Sequence, residues 1–304
     1  MSSAPRRAPV RGGPPGSTWA RATTAAPRNA NTERGRELRR LLHGRAVAYG
    51  LVLGSAAALV AGASLHSLGL ALAGPLAACL VVAALAFAAA DRRSERDFFR
   101  GYAAARGLAY VGRTRLEPLT PLLGAGDEER CEHWMQGRLA DGCDGGLGRY
   151  VYEVHGRDSQ GRAKRRETRR FTIGVVEIEA GTRPFPAIFL CARRGIFGGL
   201  DGRDWLSHVN RHEVELESAK LCERYELWID DAQDELLLRE LFTPSFEVLL
   251  AEHPLAPSFE YRAGTLVVYV ERRLEDEGSL DTLRQVTAQI ADRFSTEAAE
   301  EPAG

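Results

Sequence analysis

Between Ala46 and Ala90 the chain runs 45 residues without an Asp, Glu, Lys or Arg. No other feature restricts its possible folds as much. A membrane-spanning helix needs about 20 apolar residues, so the run has room for two spans and a tight turn. A buried helical hairpin of a water-soluble protein would show polar residues at helical spacing, and this run has almost none. The stretch SLHSLGL, residues 64–70, interrupts it near the midpoint, with His66 between Ser64 and Ser67. It reads as the turn of a transmembrane hairpin, where an imidazole reaches the aqueous interface. Arg36, Arg39, Arg40 and Arg45 precede the run, and Arg92, Arg93, Arg96 and Arg100 follow it, while the turn has no Lys or Arg. The positive-inside rule then puts both ends in the cytoplasm. A cleaved secretory signal fits poorly, because the apolar part starts late, is too long and is followed by charge.

Charge is divided along the chain. Residues 1–45 hold ten Arg against Glu33 and Glu37, a net +8, and the whole chain is −1, which leaves −9 for the remainder. A basic head, an apolar block and an acidic body make a membrane arrangement rather than a nucleic-acid one. Only Lys164 and Lys220 break an otherwise all-Arg basic complement, which with abundant Ala and Gly points to a GC-rich bacterial genome. Residues 1–32 are rich in Pro, Ala, Arg, Gly and Ser and are expected to be disordered. The five cysteines, at 79, 131, 143, 191 and 222, are odd in number and irregularly spaced. Free thiols in a reducing compartment suit that pattern better than a disulfide framework.

Four parts follow: a disordered basic tail over 1–45, a two-span hairpin over 46–90, a cytoplasmic α+β domain over 91–296, and an acidic tail over 297–304. In the domain, DRRSERDFFRGYAAARG continues the second span as a helix ending at Gly107. LAYVG, CEHWMQGRL, GRYVYEVH, RRFTIGVVEIE and PAIFLCA are β-branched or aromatic-rich and separated by turn clusters such as GAGDEE, DGCDGGLG and GTRPFP. These predict an antiparallel meander. VELES and YELWID are short strand candidates, and DDAQDELLLRELF is a helix. TPSFEVLLAEHP is a second helix with Thr243 as N-cap and Pro244 at its first position. SFEYRAGTLVVYVER predicts a hairpin turning at Ala263–Gly264. GSLDTLRQVTAQIADRF sets Leu280, Leu283, Val286, Ile290 and Phe294 on one face, with Ser279 as cap. The sum is an α+β domain with helices packed on an antiparallel sheet.

The run VELESAKLCERYELWIDDAQDELLLRELFTPSFEVLL, with the two-span start and the hairpin-plus-helix ending, resembles uncharacterised bacterial (actinobacterial-type) two-span membrane proteins with a cytoplasmic domain of unknown function. The likeness covers roughly 90–304 plus the anchor. Its motifs are caps, turns and core positions, so it implies a plan and no reaction.

Catalytic and cofactor motifs are missing. DGCDGGLG and RRGIFGGLDG follow neither G-x-G-x-x-G nor the P-loop and read as turns. There is no G-x-S-x-G elbow. His208, His212 and Glu213 begin a zinc-like spacing, but Leu216 stands where H-E-x-x-H needs its second His, and solvated histidines in a loop before a strand are the simpler reading. Cys131, His133, Cys143 and His155 offer four ligands without a C-x-x-C knuckle. Cys131 and His133 are expected on one strand face, as packed thiol and neighbour. No cofactor, catalytic residue or metal ligand is therefore assigned.

One patch stands out. The loop 157–170 carries Arg157, Arg162, Lys164, Arg165, Arg166, Arg169 and Arg170 against Asp158 and Glu167, a net +5. On a domain tethered to the inner leaflet, Arg162, Lys164, Arg165, Arg166, Arg169 and Arg170 are the residues expected to meet anionic lipid headgroups. The loop lacks stacking aromatics and the domain is acidic, which argues against nucleic acid. The sequence thus predicts a bacterial cytoplasmic-membrane protein whose domain binds a partner, either lipid or another membrane or cytoplasmic protein. The alternative is a membrane-tethered enzyme with an unrecognised site.

Overall fold

The computed structural model describes residues 68–155, 167–179, 187–193, 211–230 and 235–299, with side chains in the first helix from Val81. Nine strands lie in it as one sheet: β1 (Ala109–Thr114), β2 (Glu128–Ala140), β3 (Cys143–Val154), β4 (Glu167–Glu177), β5 (Ile188–Ala192), β6 (Arg211–Val214), β7 (Tyr225–Asp230), β8 (Ser258–Arg262) and β9 (Thr265–Val270). Their spatial order is β1-β2-β3-β4-β9-β8-β5-β7-β6. Every neighbouring pair is antiparallel. The first four strands form the expected meander, and the β8–β9 hairpin enters between β4 and β5. That central place explains TLVVYV, in which all six residues of β9 are buried. A strand covered on both faces needs no polar alternation. Its turn follows from backbone geometry: Ala263 and Gly264 both have positive φ, 48° and 85°, as the tight hairpin turn requires.

Among the described residues five helices pack on one face of the sheet: α1 (Leu68–Ala105), α2 (Ala219–Arg224), α3 (Glu235–Leu241), α4 (Pro244–Glu252) and α5 (Glu277–Ala299). They contribute Phe98, Leu221, Leu238, Phe246 and Leu283 to a single core. Leu280, Leu283, Val286, Ile290 and Phe294 of α5 are all fully buried. Gly174 of β4 lets α5 come close, since a Cβ there would collide with the Thr287 hydroxyl. The opposite face carries Trp134, Tyr150, Tyr152, Phe171 and Tyr269, covered by Leu122, Leu123 and Ala125 from the segment between β1 and β2. That segment is pinned by the fully buried Glu260, whose Oε2 accepts the Leu122 N–H at 2.8 Å, and by Tyr150, which donates to the Leu123 carbonyl.

Several local expectations are revised. The cap of α5 is Asp276, not Ser279: its Oδ1 accepts the Ser279 N–H at 2.8 Å, one turn earlier than the sequence suggests. Of the glycines in DGCDGGLG, Gly142 alone makes a left-handed turn (φ 74°). Gly145, Gly146 and Gly148 lie inside β3, because a Cβ on Gly146 would stand within the Trp134 ring and one on Gly148 would meet Cys131 Sγ. Only Arg211–Val214 of the region around VELES is a strand; Ser218 instead caps α2, accepting the Leu221 N–H. α5 runs to Ala299 with Glu297 and Ala298 buried, so the helix enters the stretch expected as an acidic tail. Gly107 ends α1 with φ 68° while the Leu108 N–H returns to the Ala103 carbonyl at 2.9 Å, the glycine-terminated motif for a helix end.

Among the described residues no helix is long and apolar enough to cross a membrane. The basic tail expected over 1–45 and residues 46–67 of the two-span hairpin expected over 46–90 lie outside them. Replacing Ile290 with Ala should lower the unfolding free energy of the detergent-solubilised chain by about 2–5 kcal/mol, as large-to-small core changes do. An unchanged denaturant midpoint would remove α5 from the core.

Candidate functional site

α1 changes environment along its length. Val81, Leu85 and Phe87 are 58, 63 and 50% exposed, although no charge precedes Asp91 in the helix. From Ser94 onward one stripe is buried: Ser94, Glu95, Phe98, Phe99, Tyr102 and Ala103. The spacing is that of one helix face, so a single rod passes from an apolar exposed segment onto the sheet.

The stripe is fastened by charge. Glu95 Oε1 stands 2.9 Å from Arg149 Nη1 of β3, and Arg149 is only 2% exposed. Glu95 Oε2 is 3.6 Å from His133 Nε2, and Arg273 Nη1 approaches Oε1 at 3.8 Å. Burial pushes the Glu95 carboxyl up, but the neighbouring His133 and the Arg149 guanidinium outweigh it and hold the pKa at about 2. The His133 ring stacks on Phe99 with centroids 4.7 Å apart, and its Nδ1 meets the Tyr110 hydroxyl at 2.9 Å. His133 reaches this side through a break in the β2–β3 register between Glu132 and Met135, where its own φ is 56°. Cys131 faces the other core with Trp134. The expectation that Cys131 and His133 share a face therefore fails, because a bulge reverses the alternation between them.

A second clasp closes the end of α1. The Tyr102 hydroxyl donates to Asp281 Oδ1 at 3.0 Å, Arg106 grips both oxygens of Asp281, and Glu277 lies 3.9 Å from Arg106. Burial raises the Asp281 carboxyl, yet the hydrogen bonds from Arg106 and Tyr102 bring it below its ordinary range. Burial, then the Asp281 charge, pushes the Tyr102 phenol up.

Beyond this clasp the surface opens into a groove of about 1950 Å³ between the β2–β3 hairpin end and the outer face of α5. Its lining holds seven carboxylates against two guanidiniums, Arg115 and Arg284. Val111 and Leu119 on its rim are 47 and 41% exposed. The Cys143 thiol inside it is pushed up by burial and by the charges of Asp144 and Asp292. A smaller cavity of about 200 Å³ lies beside Cys191 and Tyr269 on the other face of the sheet.

No family model and no curated protein matches this chain. A solved structure does. It is the crystal structure of the mycobacterial trehalose monomycolate transport factor A, TtfA, similar over 70% of this chain and 99% of that one, with 9% identity and a TM-score of 0.43.

Of the basic-loop residues, Arg162, Lys164, Arg165 and Arg166 lie outside the described residues. Arg169 and Arg170 fall in β4, where neighbours point to opposite faces. Arg169 Nη1 pairs with Glu271 at 3.1 Å, and Arg170 is exposed. The four candidate metal ligands are not brought together: His155 sits 3.9 Å from Asp127, and no group of three or more His, Cys, Asp or Glu among the described residues could hold a metal. His208 lies outside the described residues, and His212 is part of β6 rather than a loop. Glu95 and Arg149 were missed. Their signal was an Arg beside the aromatic and β-branched YVY of β3 and a Glu in register with Phe98, Phe99 and Tyr102.

The depressed Glu95 pKa has a definite pH signature. A carboxylate lowered from its ordinary 4.5 to about 2 stabilises the fold fully above 4.5 and loses that contribution as pH falls toward 2. The denaturant midpoint of the chain should therefore drop across this window, and Glu95→Gln should flatten the drop while lowering the midpoint at pH 7. An identical acid limb in both proteins would show that Glu95 is not bound to Arg149.

Proposed function

We propose that this is a two-span protein of the bacterial cytoplasmic membrane, with both termini cytoplasmic, whose α+β domain is a binding module rather than a catalyst. The observation that carries the reading is α1. One continuous 38-residue helix leaves Val81, Leu85 and Phe87 uncovered and then buries Phe98, Phe99 and Tyr102 in the domain. Uncovered large apolar side chains on a charge-free helical segment suit hydrocarbon better than water. Asp91, Arg92 and Arg93 then mark the level of the headgroups. The sequence adds the 45-residue charge-free run and arginines on both flanks.

A binding role is favoured by how the shifted groups are used. Glu95 and Tyr102 are engaged in fastening α1 to β3 and α5, not in converging on an enclosed cavity. The open groove beside α5 offers surface for a macromolecular segment. The basic loop adds a lipid contact: Arg162, Lys164, Arg165, Arg166 and the exposed Arg170 carry charge worth about 1 kcal/mol each near an anionic leaflet, within a Debye length of about 8–10 Å.

Two measurements check this. A reporter fused at residue 66 and another at the C-terminus should lie on opposite sides of the membrane, and a periplasm-active phosphatase at the C-terminus would sink the topology. In nanodiscs, trypsin should cut at Arg165 and Arg166 several-fold more slowly in anionic than in neutral lipid, and added salt should erase the difference. Equal cutting in both lipids would leave the loop an ordinary solvated tip.

A further inference from the structure

The groove beside α5 is acidic as well as open. Asp141, Asp144, Glu177 and Asp292 are all exposed and line it, together with Asp281. With seven carboxylates against two guanidiniums its lining has a net charge of −5. The walls are not purely polar: the exposed Val111 and Leu119 also line it. Such a surface suits an extended segment that carries guanidiniums on a backbone with few bulky side chains, since Arg binds carboxylates bidentately and also lies flat on apolar and aromatic surface.

The chain itself contains such a segment. Residues 1–45 carry ten Arg against Glu33 and Glu37, with Pro, Gly and Ala between them and one large aromatic, Trp19. The described chain begins at Leu68, so all of it lies outside the structure. Its length is sufficient: at random-coil dimensions 45 residues have a root-mean-square span of roughly 35–40 Å. The helical path from Asp91 to Ala105, along which the domain hangs from the membrane side, is only about 20 Å at 1.5 Å per residue. We infer that the Arg-rich N-terminal segment of this chain occupies the acidic groove between the β2–β3 hairpin end and α5. The inference rests on the proposed topology, which puts segment and groove on one side of the membrane.

The site is held open for it. Asp141, Glu177 and Asp292 have no ion-pair partner among the described residues, whereas Asp281 is committed to Arg106. Asp144 meets Arg138 only at 3.8 Å, with both side chains more than two-thirds exposed. Repulsion among these carboxylates is relieved when guanidiniums enter. Exposed charges of this kind attract weakly and are screened by salt, so the tether, by raising the local concentration of the segment, is what makes occupancy substantial.

The test places a photoreactive benzophenone at Gln289, an exposed residue of α5 that lines the groove, in the full chain. After irradiation in a non-ionic detergent at low salt, mass spectrometry of the monomer band should find cross-links to peptides from residues 1–45. They should disappear at 0.5 M NaCl. They should also disappear when Asp141, Asp144, Glu177 and Asp292 are changed to Asn or Gln, with the melting temperature unchanged. Cross-links confined to a dimer band, or only to lipid, or surviving the four changes, would overturn the assignment. Repeating the experiment in sealed vesicles separates the two readings. Cross-links in detergent but not in vesicles would place the segment across the membrane, which refutes the topology and leaves the groove's affinity for it standing. Their absence in both would refute the groove.

Discussion

A carboxylate and a guanidinium buried against each other, Glu95 of α1 and Arg149 of β3, decide how the long helix meets the sheet. Either charge alone in that position would cost several kcal/mol of lost hydration. With the helix turned by one residue, about 100°, Glu95 would leave the interface and Arg149 would have no counter-charge. The pair therefore selects one azimuth, and Phe99 reinforces it by lying under both the His133 ring and the Arg149 guanidinium. Because α1 is one continuous helix, that azimuth also determines which way Val81, Leu85 and Phe87 point. Among the described residues Arg149 Nε and Nη2 have no hydrogen-bond partner; the face of Phe99 offers compensation.

The two faces of the sheet are covered in different ways. One carries five helices, and the other carries an aromatic layer closed by the segment between β1 and β2. That segment has little regular structure of its own, so its backbone groups need partners from elsewhere. Glu260 supplies one from the central strand β8 and Tyr150 another from β3. A buried carboxylate used to hold a loop is costly unless satisfied, which makes the loop's position specific. The Trp134 indole fits beside β3 only because Gly146 and Gly148 present bare backbone to it.

Much of this fold can be read locally. The Thr243–Pro244 helix start, the Ala263–Gly264 turn and the five-residue stripe of α5 each depend on residues within a few positions of one another, and all appear where spacing and turn chemistry put them. The features that escaped depend on distant partners. DGCDGGLG resembles a turn because glycines usually make turns, and only the packing of Trp134 on Gly146 and Gly148 and the close approach of the Val175 carbonyl to Gly145 show why three of them are extended. The cap of α5 moved from Ser279 to Asp276 because both are good caps and the choice falls to the one whose side chain reaches a free N–H. The Glu95–Arg149 pair spans 54 residues, so neither the helical stripe nor the strand pattern alone could reveal it. The acidic groove assembles from β2, β3, β4 and α5 and has no linear signature.

The place of the β8–β9 hairpin gives the sheet a schedule. β4 finds its second neighbour only when β9 exists, and Glu177 pairs with Thr265, 88 residues later. At ribosomal speeds of about 5–20 residues per second this is a delay of roughly 5–20 s. Throughout it the growing chain carries two bare strand edges, β4 and β5, each rich in Ile, Val or Phe and each able to pair with a stranger. The β8–β9 hairpin is thus the segment that joins the two halves into one sheet, and α5 comes down over the join after it. Closure waits for β9.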